Sequence, residues 1–384
     1  MLIVNFFKII ISYLISRISK KYTHNWLICE RGDDARDNGY WFYKYLNKEH
    51  EEIYSIYCID DDSSDFRNIN DIGSYVRYGS IAHGVAFFSA DFLISTHPPL
   101  CIPPWQGIGV LEKIGLLKIK SKKVFLQHGI TKDYIEALTV NKLHTDLFIC
   151  GAQPEYEYIL DNFGFDKRIV KYTGFSRFDN LHDSNLKQNN EKILLIMPTW
   201  RQWMSQIENQ VEFEKSEYYC KFQSLLNNAE LMNFIENEKW KIIFYPHYEV
   251  QKWITSFYSV SNNVIIADLN RFDVQKLLIK CNIAITDFSS IFFDIAYMKK
   301  PVIFYQFDYS EYRKNHYHQG YYRYEDGLGP VAYSEDKVIQ LIIQVIEKGI
   351  DKKYIDKYNE FFPKRDNKNC MRIYNEIMEI KLYE

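Results

Sequence analysis

Two consecutive doubly wound α/β domains are what this sequence predicts, and three observations predict them. At 384 residues the chain exceeds one ordinary domain and fits two. Short apolar runs, each ending in polar or glycine-containing sequence, alternate with helical segments in the pattern of parallel βαβ units. That series occurs twice, and the polar, Asn-rich stretch FSRFDNLHDSNLKQNNE over 175–191 stands between the two as a candidate interdomain linker. The expected division is an N-terminal helix over 1–24, a Rossmann-like domain over 25–185, a second over 186–345 and C-terminal helices over 346–384, with the two domains facing a cleft.

The first series opens with a strand from Asn25 to Cys29, the polar turn ERGDDARDNG, the helix-like YWFYKYLNKEH and a second strand-like run, IYSIYCID. It continues with FLIST (92–96), KVFLQHG (123–129), DLFICG (146–151) and IVKYTG (169–174). The second series is KILLIMPT (192–199), KIIFYPH (241–247), NVIIAD (263–268), CNIAITD (281–287) and PVIFYQFD (301–308). Ligands of open parallel sheets sit beyond the carboxyl ends of the strands, so the polar residues that follow these runs carry the functional reading.

Composition removes several classes. Hydrophobic residues at 47% and charged residues at 25% describe neither a disordered nor a fibrous chain. Forty-seven basic against 50 acidic side chains leave no basic field to gather nucleic acid, which is not expected as a partner. The seven cysteines are odd in number and lack a C-x-x-C pair, which speaks against a disulfide framework or a zinc knuckle and for a reducing compartment. No uninterrupted apolar run reaches 18 residues, so no spanning helix is expected.

The N-terminus, MLIVNFFKIIISYLISRISKK, places Asn5, Lys8, Ser12, Ser16 and Ser19 at steps of three and four, a narrow polar stripe opposite a broad apolar face. Arg17, Lys20 and Lys21 add positive charge at its end. Two readings stay open: a helix lying in the headgroup region of an anionic membrane, or a first helix packed on its own domain. No small-residue cleavage site follows, against a signal peptide.

The strand ends repeat a few residue types: Gln127, His128 and Gly129; Thr199 and Arg201; His247; Thr286, Asp287, Ser289 and Ser290. Histidine, arginine and hydroxyls suit a polyanionic substrate, because charge-assisted hydrogen bonds neutralise phosphate oxygens. In IAITDFSSIFFDIAYMKKP a buried strand runs into Thr286 and Asp287, and Ser289 and Ser290 stand where a helix must begin. They read either as ordinary N-caps or as part of an anion site, with Asp294 one turn on, in reach of a ribose hydroxyl. In QHGI, Gly129 allows a tight turn that holds His128 at a strand end, a place for acid/base work or phosphate contact; His247 in YPHYE matches it in the second series. His83, His97, His144 and His316 carry no such companions, and Asp60 to Asp62 read as a solvated strand end. There is no G-x-G-x-x-G after a strand, no G-x-x-x-x-G-K-[ST] loop, no G-x-S-x-G elbow and no spacing of metal ligands. No cofactor is therefore expected, although a divalent metal often accompanies diphosphates.

Taken in order, ARDNGYWFYKYL (35–46), QHGITKD (127–133), MPTWRQ (197–202), YPHYE (245–249), TDFSSIFFDIAYMKKPVIFYQFD (286–308) and GLGPV (327–331) resemble the CDP-glycerol glycerophosphotransferase family of teichoic acid and capsule synthesis. The resemblance spans about residues 27 to 340 and implies a fold like that of the B-type glycosyltransferases. It also implies peripheral attachment to the cytoplasmic face of the membrane, and transfer of glycerol phosphate from CDP-glycerol to a lipid-linked saccharide or polymer acceptor with release of CMP. It places His128 as a catalytic base, His247 as a second catalytic histidine that with Arg201 falls at the phosphate-contacting positions, and Ser289, Ser290 and Asp294 as holding the donor. Thr199, Thr286, Asp287 and Gly129 line the same strand ends. The sequence departs from the pattern in reading Pro-His at 246–247, Trp200 and Phe288, and in lacking the long N-terminal region of the polymerases, from which a primase or a capsule-decorating transferase is expected rather than a processive polymerase. The rival activities are a B-type glycosyltransferase using a nucleotide sugar, transfer of another polyol phosphate such as ribitol phosphate, and a non-catalytic membrane-associated scaffold.

Overall fold

The structure, a computed structural model, describes residues 2–98, 103–185, 191–315 and 319–382. His316 and Cys101 lie outside the described residues. The chain forms two compact units, residues 1–130, 135–180 and 366–384 in the first and 131–134 with 181–365 in the second.

The first unit is built on the strands β1 (Asn25–Cys29), β2 (Ser55–Ile59), β3 (Ser74–Arg77), β4 (Ala90–Ser95), β5 (Lys122–Phe125), β6 (Leu147–Cys150) and β7 (Val170–Tyr172). They pair in the order β3-β2-β1-β4-β5-β6-β7, all parallel. Every residue of β1, β2 and β6 is buried, as strands covered by helices on both faces require. Leu27 pairs in register with Ile56 on one side and Leu93 on the other, at the centre of the sheet. The helices are α1 (Leu2–Ile18), α2 (Asn38–Glu49), α3 (Ile81–Ser89), α4 (Ile108–Lys113), α5 (Gln153–Asn162) and α6 (Arg177–Asn185).

The second unit has β8 (Ile193–Ile196), β9 (Lys241–Phe244), β10 (Val264–Ile266), β11 (Ile283–Thr286), β12 (Val302–Tyr305) and β13 (Val331–Ala332), in the order β10-β9-β8-β11-β12-β13, again all parallel. Among its helices, α7 (Gln210–Glu214), α8 (Glu217–Leu225), α9 (Ala229–Asn237), α10 (Val274–Lys280), α11 (Ile291–Tyr297), α12 (Tyr309–Asn315), α13 (Glu335–Lys348) and α14 (Lys352–Phe361) follow in chain order. Both sheets reverse their winding once, between β1 and β4 in the first and between β8 and β11 in the second, which are the places where open α/β sheets bind ligands.

Three features differ from the sequence reading. The stretch expected to be a linker is α6 up to Asn185, with Phe175, Phe178 and Leu181 fully buried, and the break between units falls at 180/181 inside it. The last helix, α15 (Asn369–Leu382), is not set apart with the C-terminal helices but belongs to the first unit. Its Ile373 and Ile377 are buried there, and the Asp179 carboxylate accepts from the Asn369 and Cys370 amides at 2.8 and 2.9 Å, capping its first turn. Two strands went unread: β3, whose single buried residue is Val76, and the two-residue β13, each too short or too polar to show a pattern.

In α1 the polar stripe faces inward. Ser12 and Ser16 are buried with Ile9, and Gly84 of α3 lies so close to the Ser12 hydroxyl that a Cβ there would meet it. Small residues on both helices permit that approach. Phe7, Ile11, Leu14 and Ile18 point outward, and exposed Val110 of α4 and Ile114 just past its end add to them. No helix among the described residues is long and apolar enough to cross a membrane.

Candidate active site

In the first unit β5 ends at Phe125, and the chain turns through Gln127 to present His128. The residue in the left-handed region is Gln127 (φ 57°), where the sequence reading had given the turn to Gly129. A non-glycine residue there costs about 1–3 kcal/mol and persists only where its surroundings hold it. Here they do. The Gln127 carbonyl accepts from Asn38 Nδ2 at 2.7 Å, and its side-chain amide donates to the Ile149 carbonyl at 2.7 Å and to Glu155 Oε1 at 3.0 Å. Glu155 Oε2 in turn accepts from the Gly151 amide at 2.6 Å.

The network continues to His128 itself. Asn38 accepts from Ser176 Oγ at its carbonyl (2.6 Å) and from the Arg177 amide at Oδ1 (3.2 Å). The Arg177 guanidinium, buried against Phe175 and Phe178, donates to the His128 carbonyl at 2.9 Å and to Asp37 Oδ1 at 3.0 Å. His128 is thus fixed by its backbone from two sides while its side chain stays exposed. Surrounding protein mass, then Arg177 and Arg31, lower its pKa below the ordinary histidine value. Water at the open ring solvates the cation and works against that lowering. Asp37, Asn38, Glu155, Ser176 and Arg177 are residues that sequence reasoning missed; the signal available was their place after the ends of β1, β6 and β7.

Beside it stands His97, whose ring centroid is 4.7 Å from that of His128 and whose Nδ1 lies 2.8 Å from Thr96 Oγ1. Burial, then His128 and Arg31, lower its pKa to about 3, so it stays neutral. His83 is an ordinary core histidine, its Nδ1 accepting from the Gly79 amide at 3.2 Å, and His144 is exposed. Arg77 pairs with Asp60 at 3.2 Å, Asp61 at 3.8 Å and Asp62 at 2.8 Å, which accounts for that run of carboxylates.

In the second unit the strand ends bring Thr199, Arg201, Thr286 and Asp287 together, and here the structure corrects the sequence reading. Arg201 is fully buried and has no surface left for a phosphate. Its guanidinium donates to Asp287 Oδ2 at 2.8 Å, to Asp308 at 2.5 and 3.0 Å and to the Thr199 carbonyl at 2.9 Å. The rings of Phe288, Tyr218, Tyr312 and Phe307 surround it at 5.0 to 5.7 Å. Burial pushes Asp287 up, against ionisation, whereas the two carboxylates outweigh burial at Arg201 and push it up, toward the cation. Three donors decide for the ionised pair: Arg201, the Thr199 amide at 2.8 Å and the Phe288 amide at 2.6 Å all point at Asp287. Asp287 is therefore a buried lock. Thr286 is buried too, donating to the Met197 carbonyl at 2.7 Å, and Asp294 at 3% exposure leaves little surface for a ribose.

What the lock holds is the segment after β11. Ser289 and Ser290 are half-buried at the start of the seven-residue α11. Ser290 makes no side-chain cap, and Ser289 Oγ accepts from the Ile291 amide only at 3.5 Å, so capping does not account for either hydroxyl. His247, half-buried after β9, accepts from the Glu249 amide at Nδ1 (3.3 Å), which leaves the neutral ring with its proton on Nε2. Trp200 lies nearly parallel to it, 6.3 Å between centroids. A recess of about 300 Å³ is lined by Arg201, Tyr218 and Asp308. Among the described residues no group of three His, Cys, Asp or Glu side chains is arranged to hold a metal ion.

A family model described as CDP-glycerol:poly(glycerophosphate) glycerophosphotransferase matches residues 10–379. The chain is 33% identical over 369 residues to the minor teichoic acid biosynthesis protein GgaB of Bacillus subtilis, covering 92% of this chain and 40% of that protein. It is 25% identical over 379 residues to a teichoic acid poly(glycerol phosphate) polymerase of Bacillus spizizenii, covering 88% of this chain and 87% of that one. Among solved structures, the wall teichoic acid polymerase TagF in its H444N variant with CDPG superposes with a TM-score of 0.70 at 17% identity, covering 99% of both chains.

Proposed function

Because the chain belongs to the CDP-glycerol:poly(glycerophosphate) glycerophosphotransferase family, we propose that it transfers glycerol phosphate from CDP-glycerol to a hydroxyl of a lipid-linked or polysaccharide acceptor and releases CMP. The observation that carries this reading is the end of β11, where two half-exposed hydroxyls that cap nothing well are held in place by a buried ion cluster. The acceptor oxygen forms a bond to the phosphorus bearing glycerol, and the bond from that phosphorus to the oxygen bridging toward cytidine breaks. Its electron pair leaves with CMP. The acceptor proton passes to His128, which the surrounding protein keeps neutral. Ser289, Ser290 and His247 Nε2–H donate to the diphosphate oxygens, so catalysis is mostly positioning and charge stabilisation.

The outward apolar face of α1, together with Val110 of α4 and Ile114 just past its end, supports a peripheral place on the cytoplasmic face of the membrane. Exposed Arg17, Lys20, Lys113, Lys118 and Lys120 suit anionic headgroups. Flotation with phosphatidylglycerol vesicles is expected to carry the full chain and to lose it when Phe7, Ile11 and Leu14 become Ser; equal flotation would remove the membrane contact.

The activity is tested by offering the purified chain CDP-glycerol, CDP-ribitol and UDP-sugars with a lipid-linked acceptor, and weighing the product by mass spectrometry. Addition of glycerol phosphate with one CMP released per transfer is expected. Addition of a sugar from a nucleotide sugar would establish the glycosyltransferase instead, and ribitol phosphate would redirect the donor.

A further inference from the structure

Ile373 and Ile377 dock the last helix, α15, on the first unit by apolar burial. Its first turn also directs a row of polar contacts at one short segment, residues 173–179, which runs from the end of β7 into the first turn of α6. Arg372 Nε donates to the Thr173 carbonyl at 2.8 Å, and its other guanidinium nitrogens hold Asp366 and Asn369 Oδ1 at 2.7 to 3.0 Å. Gly174, at φ 80°, lies so close to the Asn369 side chain that a Cβ there would meet it. Cys370 Sγ donates to the Ser176 carbonyl at 3.5 Å. Asp179 completes the clasp: its Oδ1 accepts from the Asn369 amide at 2.8 Å and from Asn369 Nδ2 at 2.7 Å, and its Oδ2 from the Cys370 amide at 2.9 Å.

We propose that Asp179 is a positioning residue for the transfer: clasped to the start of α15, it sets Ser176 and Arg177 and, through them, the backbone of His128. This role rests on the reading of His128 as the base and adds to it what fixes where the base stands. The segment that α15 holds on one side holds the site on the other. Ser176 Oγ donates to the Asn38 carbonyl at 2.6 Å, and the Arg177 guanidinium to the His128 carbonyl at 2.9 Å. The path is short, because Asp179 and Arg177 share the first turn of α6, and Arg177 is buried against Phe175 and Phe178.

Docking of α15 does not need a carboxylate here. Desolvation opposes the gain from a buried charge, and an apolar contact of the same size stabilises as well. What a carboxylate with three N–H donors adds is direction. The course of the chain points the same way: it leaves the first unit after Asn180 and re-enters it at Asp366. The clasp therefore joins the departing segment to the returning one close to both breaks, and holds the 173–179 segment within its own unit.

Arg177 supplies a signature that a purely cohesive contact would lack. His128 is faced by Arg177 from α6, by Arg31 after β1 and by the neutral His97 after β4, with Asp37 paired to Arg177. Arg177 and Arg31 lower the pKa of His128, so a displaced Arg177 lets it climb toward the ordinary value of about 6.5. Asp37, freed of its partner, acts in the same direction.

The test is Asp179→Asn, which keeps the volume and turns one acceptor into a donor facing donors, with circular dichroism to confirm the fold. For transfer from CDP-glycerol, kcat is expected to fall about 10-fold with donor KM unchanged, as a displacement short of about 1 Å implies. The ring titration of His128, followed by NMR in histidine-labelled protein, is expected to move to higher pH. A variant that melts earlier but keeps the wild-type kcat and His128 titration overturns the proposal and leaves a folding contact. A loss of kcat with that titration unmoved overturns it too. Should Asp179→Asn not fold, Arg372→Gln, at the half-buried edge of the clasp, carries the same expectations and is judged by the same results. If the wild type transfers nothing, the reading beneath has failed, and the titration decides alone: an upward shift in the variant keeps the link from α15 to His128, and an unmoved one breaks it.

Discussion

The two sheets reverse at equivalent places, β1/β4 and β8/β11, and fill those places in opposite ways. In the first unit the reversal opens into a recess of about 510 Å³ whose charged groups, Arg31, Asp33 and Asp60, reach water. In the second, the groups after β8 and β11 turn inward: Arg201 joins Asp287 and Asp308 with no exposed surface. The same topology thus serves direct presentation of side chains in one unit and fixing of a backbone in the other. A buried ion cluster is weak evidence for net stability, because desolvation opposes the Coulomb gain. Its use here is geometric: Asp287 takes the amides of Thr199 and Phe288, and Gln306 donates to the Asp287 carbonyl at 2.9 Å, which sets the path into Ser289.

The open side should show the larger catalytic effect. His128→Ala is expected to lower kcat by about 10² to 10⁴ with donor affinity nearly intact. Its pKa is lowered in the free protein, so the base stays neutral as the medium turns acidic, and the acid limb of kcat/KM should fall below the ordinary histidine value of about 6.5. A bound diphosphate favours the cation, which moves the limb of kcat to higher pH than that of kcat/KM. Activity that falls as pH rises through neutrality would mean a charged His128 holding phosphate, and an alanine variant with full kcat would remove it from the mechanism.

The closed side should show the larger effect on folding. Arg201→Met leaves two buried carboxylates without a counterion and is expected to destabilise by about 3–5 kcal/mol, read from urea denaturation followed in the second unit. Adding Asp287→Asn and Asp308→Asn should restore part of that loss. A single-variant change under about 1 kcal/mol, the size of an exposed pair, would break the contrast between the two reversals.

How far this contrast was legible in the sequence follows from what kind of signal each part leaves. The strands were readable because doubly covered strands are apolar along their whole length: NWLIC is both the run and β1, and IAIT lies within CNIAITD. The family resemblance and the doubly wound fold were legible from the order of motifs and runs. Arg201 was found, but its burial was not: an arginine after a strand looks the same whether it faces phosphate or two aspartates, and Asp308 stands 107 residues away. The network behind His128 was hidden for the same reason, since Asn38 and Ser176 meet across 138 residues. In α1 the stripe was visible and its direction was not, because small serines suit close helix packing as well as they suit water.

A smaller effect separates capping from binding at the end of β11. Replacing both Ser289 and Ser290 with Ala is expected to change stability by no more than about 0.5 kcal/mol, below the ~1 kcal/mol of a true N-cap, because neither hydroxyl makes a good cap bond. Affinity for CDP-glycerol by titration calorimetry should fall about 10- to 100-fold. Loss of stability with unchanged affinity would return both serines to capping and leave the closed reversal without a ligand to present to.

The smallest expected effect concerns Gln127, whose left-handed backbone ties the open side to its support. Gln127→Gly sets two terms against each other. Glycine adopts φ > 0 freely, which relieves about 1–2 kcal/mol of strain. It also removes the side-chain bonds to the Ile149 carbonyl and Glu155, about 0.5–1.5 kcal/mol each, and leaves buried Glu155 Oε1 short of that donor. The net change in stability should therefore be about 1 kcal/mol or less, of either sign. The Asn38 bond to the Gln127 carbonyl and the Arg177 bond to the His128 carbonyl both survive, so only the side-chain support of the turn is lost. A loosened imidazole should lower kcat a few-fold with donor KM unchanged, far less than removing the ring, as misplacement short of loss implies. If Gln127→Gly matches the wild type in kcat while His128→Ala does not, the left-handed turn is a folding feature alone, and the open reversal presents its histidine without help from the network behind it.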